Sequence, residues 1–101
     1  MAWIKVGKIS DIDEGKSQVV NANSKEVALF KIEGQIYAME NTCPHRGGPL
    51  AEGYLEGQEV TCPWHAWVFD VKTGVCQTAP DTKQTTFPVK TEAGDIFVEV
   101  K

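Results

Sequence analysis

An all-β fold is predicted for this 101-residue chain by three features of its text. Short alternating or β-branched runs recur from end to end, they are separated by Gly, Pro, Asn or Asp, and long apolar faces at the 3.6-residue helical spacing are hard to find. In chain order the runs are Trp3 to Val6, Ser17 to Val20, Val27 to Ile32, Gln35 to Met39, Gln58 to Thr61, Trp67 to Val71, Phe87 to Lys90 and Ile96 to Val100. Several are roughly 4 to 6 residues long, as in a sandwich or barrel. Between the first two, the segment Ile9 to Gly15 reads either as one helical turn capped by Ser10 and ended by Gly15 or as a polar loop. Glu33-Gly34 has the turn chemistry of a tight hairpin between the third and fourth runs, because Gly accepts positive φ without penalty. Ala93-Gly94-Asp95 punctuates the last two runs in the same way.

The length suits a single domain over 1–101, since two independent cores would each be too small to be stabilised by burial alone. With 42% hydrophobic and 24% charged residues the chain has an ordinary globular composition, which argues against disorder. No apolar run approaches the roughly 20 residues that cross a bilayer, and the N-terminal text lacks the apolar length of a signal peptide, so neither membrane insertion nor export is expected. A net charge of -4 with no basic block makes nucleic acid a poor partner. Three Cys cannot close a disulfide framework, and without an export signal metal binding in a reducing, cytoplasmic setting is the better reading.

The texture changes between residues 41 and 81, which hold all three Cys and both His. Residues 1–40 and 82–101 read as a plain β scaffold, and 41–81 as a functional insert. Its informative text is Cys43-Pro44-His45-Arg46-Gly47-Gly48-Pro49-Leu50 and then Cys62-Pro63-Trp64-His65-Ala66-Trp67, with sixteen residues between His45 and Cys62. Each loop offers one thiolate and one imidazole, and if the loops pack side by side the four converge on one point. Two metal sites suit that set, a [2Fe-2S] cluster or a single structural zinc. Zinc Cys₂His₂ sites usually take both Cys from one knuckle and both His from a helix. Here Cys and His alternate, which favours two metal atoms, each drawing one ligand from each loop. Gly47 and Gly48 let backbone N–H groups approach bridging sulfides, and Pro44, Pro49 and Pro63 stiffen the loops before metal binds.

CPHRGGPLAEG followed by CPWHAWVFD and TG resembles the two cluster loops of the Rieske [2Fe-2S] family, specifically its small soluble ferredoxins and the small subunits of assimilatory nitrite reductases. The resemblance covers essentially the whole chain and implies an antiparallel β-sandwich with an inserted cluster-binding subdomain. Carried over residue by residue, Cys43 and Cys62 would hold one iron, and His45 and His65 the other through Nδ1. Members of the cytochrome bc type carry an extra Cys in each loop, and the matching positions here are Gly48 and Trp64, so no loop disulfide is expected. Those members also place Ser and Tyr hydroxyls on a bridging sulfide and a cysteine sulfur, where this chain has Trp67 and Phe69. The lack of both donors implies a potential toward the low end of the family range, about -150 to +300 mV.

Around the four ligands the readings stay double. Trp64 shields the cluster or forms an apolar docking rim, with rim the better reading, and Trp67 reads as core. Arg46 steers an acidic partner or is merely solvated. Ala79-Pro80-Asp81 resembles the family's proline loop over the cluster, or is a strand-ending turn, and Pro80 is therefore a candidate shielding residue. Cys76, with no His at matching spacing, reads as a small buried apolar residue.

The implied function is one-electron transfer from a flavoprotein reductase to a terminal oxygenase by a chain that is monomeric in isolation. A non-catalytic subunit beside the large subunit of an NAD(P)H nitrite reductase is the alternative, and a zinc-bound structural module a third. An oxygenase active site is excluded by count: a facial triad needs two further His, and both His of the chain are committed to the cluster. No Rossmann glycine pattern is present, so electrons must come from a partner.

Overall fold

A computed structural model describes residues 2–43, 48–64, 67–79 and 81–100. Its strands are β1 (Ala2–Lys8), β2 (Ser17–Ala22), β3 (Lys25–Ile32), β4 (Gln35–Glu40), β5 (Tyr54–Glu56), β6 (Glu59–Thr61), β7 (Val68–Asp70), β8 (Thr86–Phe87), β9 (Val89–Glu92) and β10 (Asp95–Val100). They form three antiparallel sheets ordered β1-β10-β9, β2-β3-β4-β8 and β5-β6-β7. Two 3-10 turns, Ile9–Asp11 and Leu50–Glu52, are the helical elements among the described residues. None of the helices described is long and apolar enough to cross a membrane.

The β2-β3-β4-β8 sheet is a shared wall. Successive side chains of a strand point to opposite faces, and β3 is apolar on both. Val27 and Leu29 join a core with Ile36 and Ala38 of β4 and Ile96, Val98 and Val100 of β10. Ala28, Phe30 and Ile32 join a second core with Met39, Leu50, Val60, Phe69, Cys43 and Cys62. That two-sided burial is why Val27-Ala28-Leu29-Phe30 reads as an unbroken apolar run. Because β8 pairs with β4, the β5-β6-β7 sheet is spliced in between two neighbouring strands of the wall and packs on its second face.

Hairpins set the register. Asn23-Ser24, Glu33-Gly34 and Ala93-Gly94 each link paired strands with both φ values positive, between 51° and 87°, the type I′ geometry that matches strand twist. The Glu33-Gly34 turn is also gripped from outside: their N–H groups donate to the Glu14 carboxylate, and those two bonds hold the Glu14 pKa below its ordinary value.

Three sequence expectations need correction. The turn after β1 is a 3-10 turn over Ile9–Asp11 whose N-cap residue is Lys8, not Ser10, and Lys8 donates its backbone N–H to Asp11 Oδ2 at 3.1 Å. Tyr54–Glu56, absent from the predicted runs, is a strand; three residues between Gly53 and Gly57 are too few to show alternation. Phe87 to Lys90 is not one strand. Pro88 has no N–H to give to a ladder, and the run divides there, β8 pairing with β4 and β9 with β10.

Candidate metal centre

Two loops rise from the inserted sheet and its junction with the wall, and they are rooted alike. Cys43 N–H donates to the Gly48 carbonyl at 2.8 Å, and Cys62 N–H donates to the Trp67 carbonyl at 2.7 Å. In each loop the cysteine therefore bonds the residue five positions on, closing the segment that carries the remaining candidate ligand. His45, Arg46, His65 and Pro80 lie outside the described residues.

Buried amides hold the first root. Asn41, 4% exposed, donates its N–H to the Glu26 carbonyl, accepts Leu50 N–H on its carbonyl, and accepts Ala51 N–H on Oδ1 at 2.8 Å. Gln84, 3% exposed, donates through Nε2 to the Glu40 and Thr42 carbonyls at 2.9 and 2.6 Å. Buried polar atoms are costly unless bonded, so these two side chains fix the end of β4 just before Cys43. Neither residue stands out in the sequence, where an isolated Asn or Gln carries no periodic signal.

A third loop follows β7. Gly74 takes φ +84° and donates its N–H to the Asp70 carbonyl, while Gln84 N–H donates to the Gly74 carbonyl at 2.7 Å. The Asp70 carboxylate accepts bonds from Gln58 Nε2 at 2.8 Å, Lys72 N–H at 2.8 Å and Thr73 N–H at 3.1 Å. Burial pushes the Asp70 pKa up, but these bonds outweigh it and the net shift is downward. A depressed pKa stabilises the fold above the ordinary aspartate value of about 3.9, and that contribution is lost as pH falls through the folded-state value. Asp70→Ala should destabilise the protein by about 2 kcal/mol at neutral pH, because two backbone donors lose their acceptor. Denaturant unfolding of both proteins from pH 7 down to about pH 2 should show the gap narrowing at the acid end.

Cys43 and Cys62, from different loops, are 2% and 1% exposed, and their free thiols face each other closely enough to interact. Burial is the main influence on Cys62 and pushes its pKa up; the neighbouring Cys43 adds to this, and Trp64 N–H, donating to the Cys62 sulfur, works against it. Two facing, water-excluded sulfurs in the reduced form are a ligand pair that a cation would neutralise on ionisation. Gly48 lets the two loops approach closely at the cysteines: a β-carbon built there would fall 2.9 Å from Cys62 Sγ. These features fit an iron–sulfur group held by the two cysteines. Cys76 is instead fully buried in the core, with Sγ 3.5 Å from Thr78 Oγ1, as the small-hydrophobe reading expects. Trp67 is partly buried against the same core and its ring lies 6.5 Å from that of Phe69, whereas Trp64 is 50% exposed, at the rim.

A three-sheet β domain that brings two buried cysteines face to face from separate loops has the thiolate pair of a metal- or cluster-binding protein. The Rieske [2Fe-2S] domain model matches residues 2–92, and the chain belongs to that family. It is 45% identical over 100 residues to the ferredoxin component of the naphthalene 1,2-dioxygenase/salicylate 5-hydroxylase systems of Ralstonia sp., covering 98% of this chain and 96% of that one. It is 42% identical over 99 residues to the naphthalene 1,2-dioxygenase ferredoxin component of Pseudomonas putida, covering 97% and 95%. Among solved structures, the ferredoxin of carbazole 1,9a-dioxygenase from Nocardioides aromaticivorans IC177 superposes with a TM-score of 0.93 over the full length of both chains at 24% identity, a likeness of fold. A chain in a complex of reduced oxygenase and oxidized ferredoxin of carbazole 1,9a-dioxygenase matches at 34% identity and a TM-score of 0.88, covering 95% of this chain and 91% of that one. The protein is thus a ferredoxin with a Rieske-type [2Fe-2S] cluster, an electron carrier rather than an enzyme.

Proposed function

We propose that this chain takes one electron at a time from a flavoprotein reductase and delivers it to the terminal oxygenase of a ring-hydroxylating dioxygenase system in the cytoplasm, docking transiently as a monomer. The observation that carries the reading is the buried pair of facing, free Cys43 and Cys62 thiols on two identically closed loops, in a chain whose relatives over nearly full length are named as dioxygenase ferredoxin components. In this reading Cys43 and Cys62 bind one iron and His45 and His65 the other, and 1–40 and 82–101 serve as the scaffold for the 41–81 insert. The cluster supplies one-electron redox chemistry. The residues do the rest: Asn41 and Gln84 fix the loop root, the second core keeps water from the cysteines, and Trp64 offers an exposed rim for docking, with Arg46 and Pro80 as the further candidates of the sequence for docking or shielding.

Anaerobic EPR of the dithionite-reduced protein, with iron and sulfide measured on the same sample, tests the ligand set. A rhombic signal of low average g with two irons and two sulfides per chain is expected; EPR silence with stoichiometric zinc would overturn the assignment. Stopped-flow oxidation of the reduced chain by a naphthalene dioxygenase oxygenase component tests the partner, and no electron transfer to any ring-hydroxylating oxygenase in a panel would refute it. Because Trp67 and Phe69 stand where hydroxyl donors serve high-potential relatives, the midpoint should lie below about +100 mV, as read by redox titration.

A further inference from the structure

We infer that Gly48 and Trp64 form a clasp between the two loops that aims the Trp64 backbone N–H at the Cys62 sulfur, making Trp64 a positioning residue whose contact with Gly48 sets the reduction potential. This rests on Cys62 being an iron ligand.

Gly48 is buried and closes the first loop through its carbonyl. A β-carbon built on it would meet Cys62 Sγ at 2.9 Å, Trp64 Cγ at 3.0 Å and Trp64 Cβ at 3.2 Å. Its φ is not in the left-handed region, so the need for glycine here is one of space, not backbone conformation. The atoms crowding it are the stem of Trp64, not the far end of the indole. Trp64 is half exposed and belongs to neither core. A tryptophan placed for burial would be drawn inward; this one contributes its stem to the contact and leaves its ring at the rim. The same residue donates its backbone N–H to Cys62 Sγ. Glycine at 48 therefore lets the first loop lie close under Trp64, and that seat fixes the direction of the Trp64 amide two residues beyond Cys62.

The electrical consequence has a definite sign. Reduction adds one electron and no atom, and it increases negative charge on the ligand sulfur. A donor aimed at that sulfur stabilises the reduced form more than the oxidised one, so a misaimed amide lowers the potential.

The test compares the wild type with Trp64→Phe, Trp64→Ala and Gly48→Ala, each reconstituted anaerobically, by EPR-monitored redox titration, with thermal unfolding as a check on the fold. Trp64→Phe keeps Cβ and Cγ and should titrate with the wild type. Trp64→Ala loosens the clasp and Gly48→Ala wedges it, and both should shift the midpoint negative while retaining two irons. Wild-type potentials in folded, two-iron Trp64→Ala and Gly48→Ala proteins would overturn the inference. Should Gly48→Ala fail to fold, the Trp64→Phe and Trp64→Ala pair decides it. A Cys62→Ala protein that keeps two irons and an unchanged EPR signal would overturn the ligand assignment and the clasp with it; loss of iron in that variant supports the assignment and leaves the clasp to the potentials.

Discussion

Replacing Cys43 or Cys62 by Ala should abolish stoichiometric cluster binding, while Cys76→Ala should leave iron content and EPR signal intact. All three thiols are buried and free, so neither exposure nor oxidation state tells them apart. Location does: the first two face each other from separate loops, and the third sits in the core beside Thr78. Loss of an outer partner of a ligand typically costs about 10–100-fold in metal affinity, and loss of a ligand should cost more. Cys76→Ala removes one buried sulfur and should cost about 1 kcal/mol of stability through the small cavity left behind. Iron analysis and EPR on the three purified variants check the contrast, and a Cys76→Ala protein without iron would refute the division of roles.

Gly74→Ala should destabilise the fold by about 3 kcal/mol or more, among the larger effects a single methyl group can have. Two penalties coincide there. The φ of +84° is strained for any residue with a side chain, and a β-carbon would fall 2.2 Å from the Gln84 carbonyl oxygen, an atom of the backbone that cannot swing aside. Relief requires moving Gln84, whose side chain holds the Glu40 and Thr42 carbonyls at the root of the first loop. At about 4–8 °C per kcal/mol for a domain of this size, the thermal midpoint should drop by about 12 °C or more. Calorimetry of cluster-loaded protein reads the midpoint, and visible absorbance followed on heating should be lost faster than in the wild type. By comparison Gly34→Ala meets nothing within 4 Å and bears only the conformational penalty.

The sheet scaffold was legible where pattern and turn chemistry agree. Val27 to Ile32 and Gln35 to Met39 come within a residue or two of β3 and β4, and Glu33-Gly34 makes the tight turn its glycine suggests. Asn23-Ser24 makes the same turn without glycine, and for that reason went unread. The break at Pro88 could not be placed from pattern, because Phe87, Val89 and Lys90 look continuous until their partners are known. At the site, Cys43 and Cys62 carry a signal in their spacing. Asn41, Asp70 and Gln84 carry none, since what matters about them is which distant carbonyl or N–H they satisfy, a property of the folded chain alone.

The identical five-residue closure of the two cysteine loops has an evolutionary consequence. Each closure is made by main-chain atoms, N–H to carbonyl, and so is indifferent to the side chains between the closing residues. The anchor and the variable text are separate, as a socket is from its insert. Substitution at the exposed position 63, inside the second closure, can alter the local surface without changing the bond that holds Cys62. A lineage can thereby adapt one carrier to a new partner by revising letters within the loops, leaving the three-sheet frame untouched.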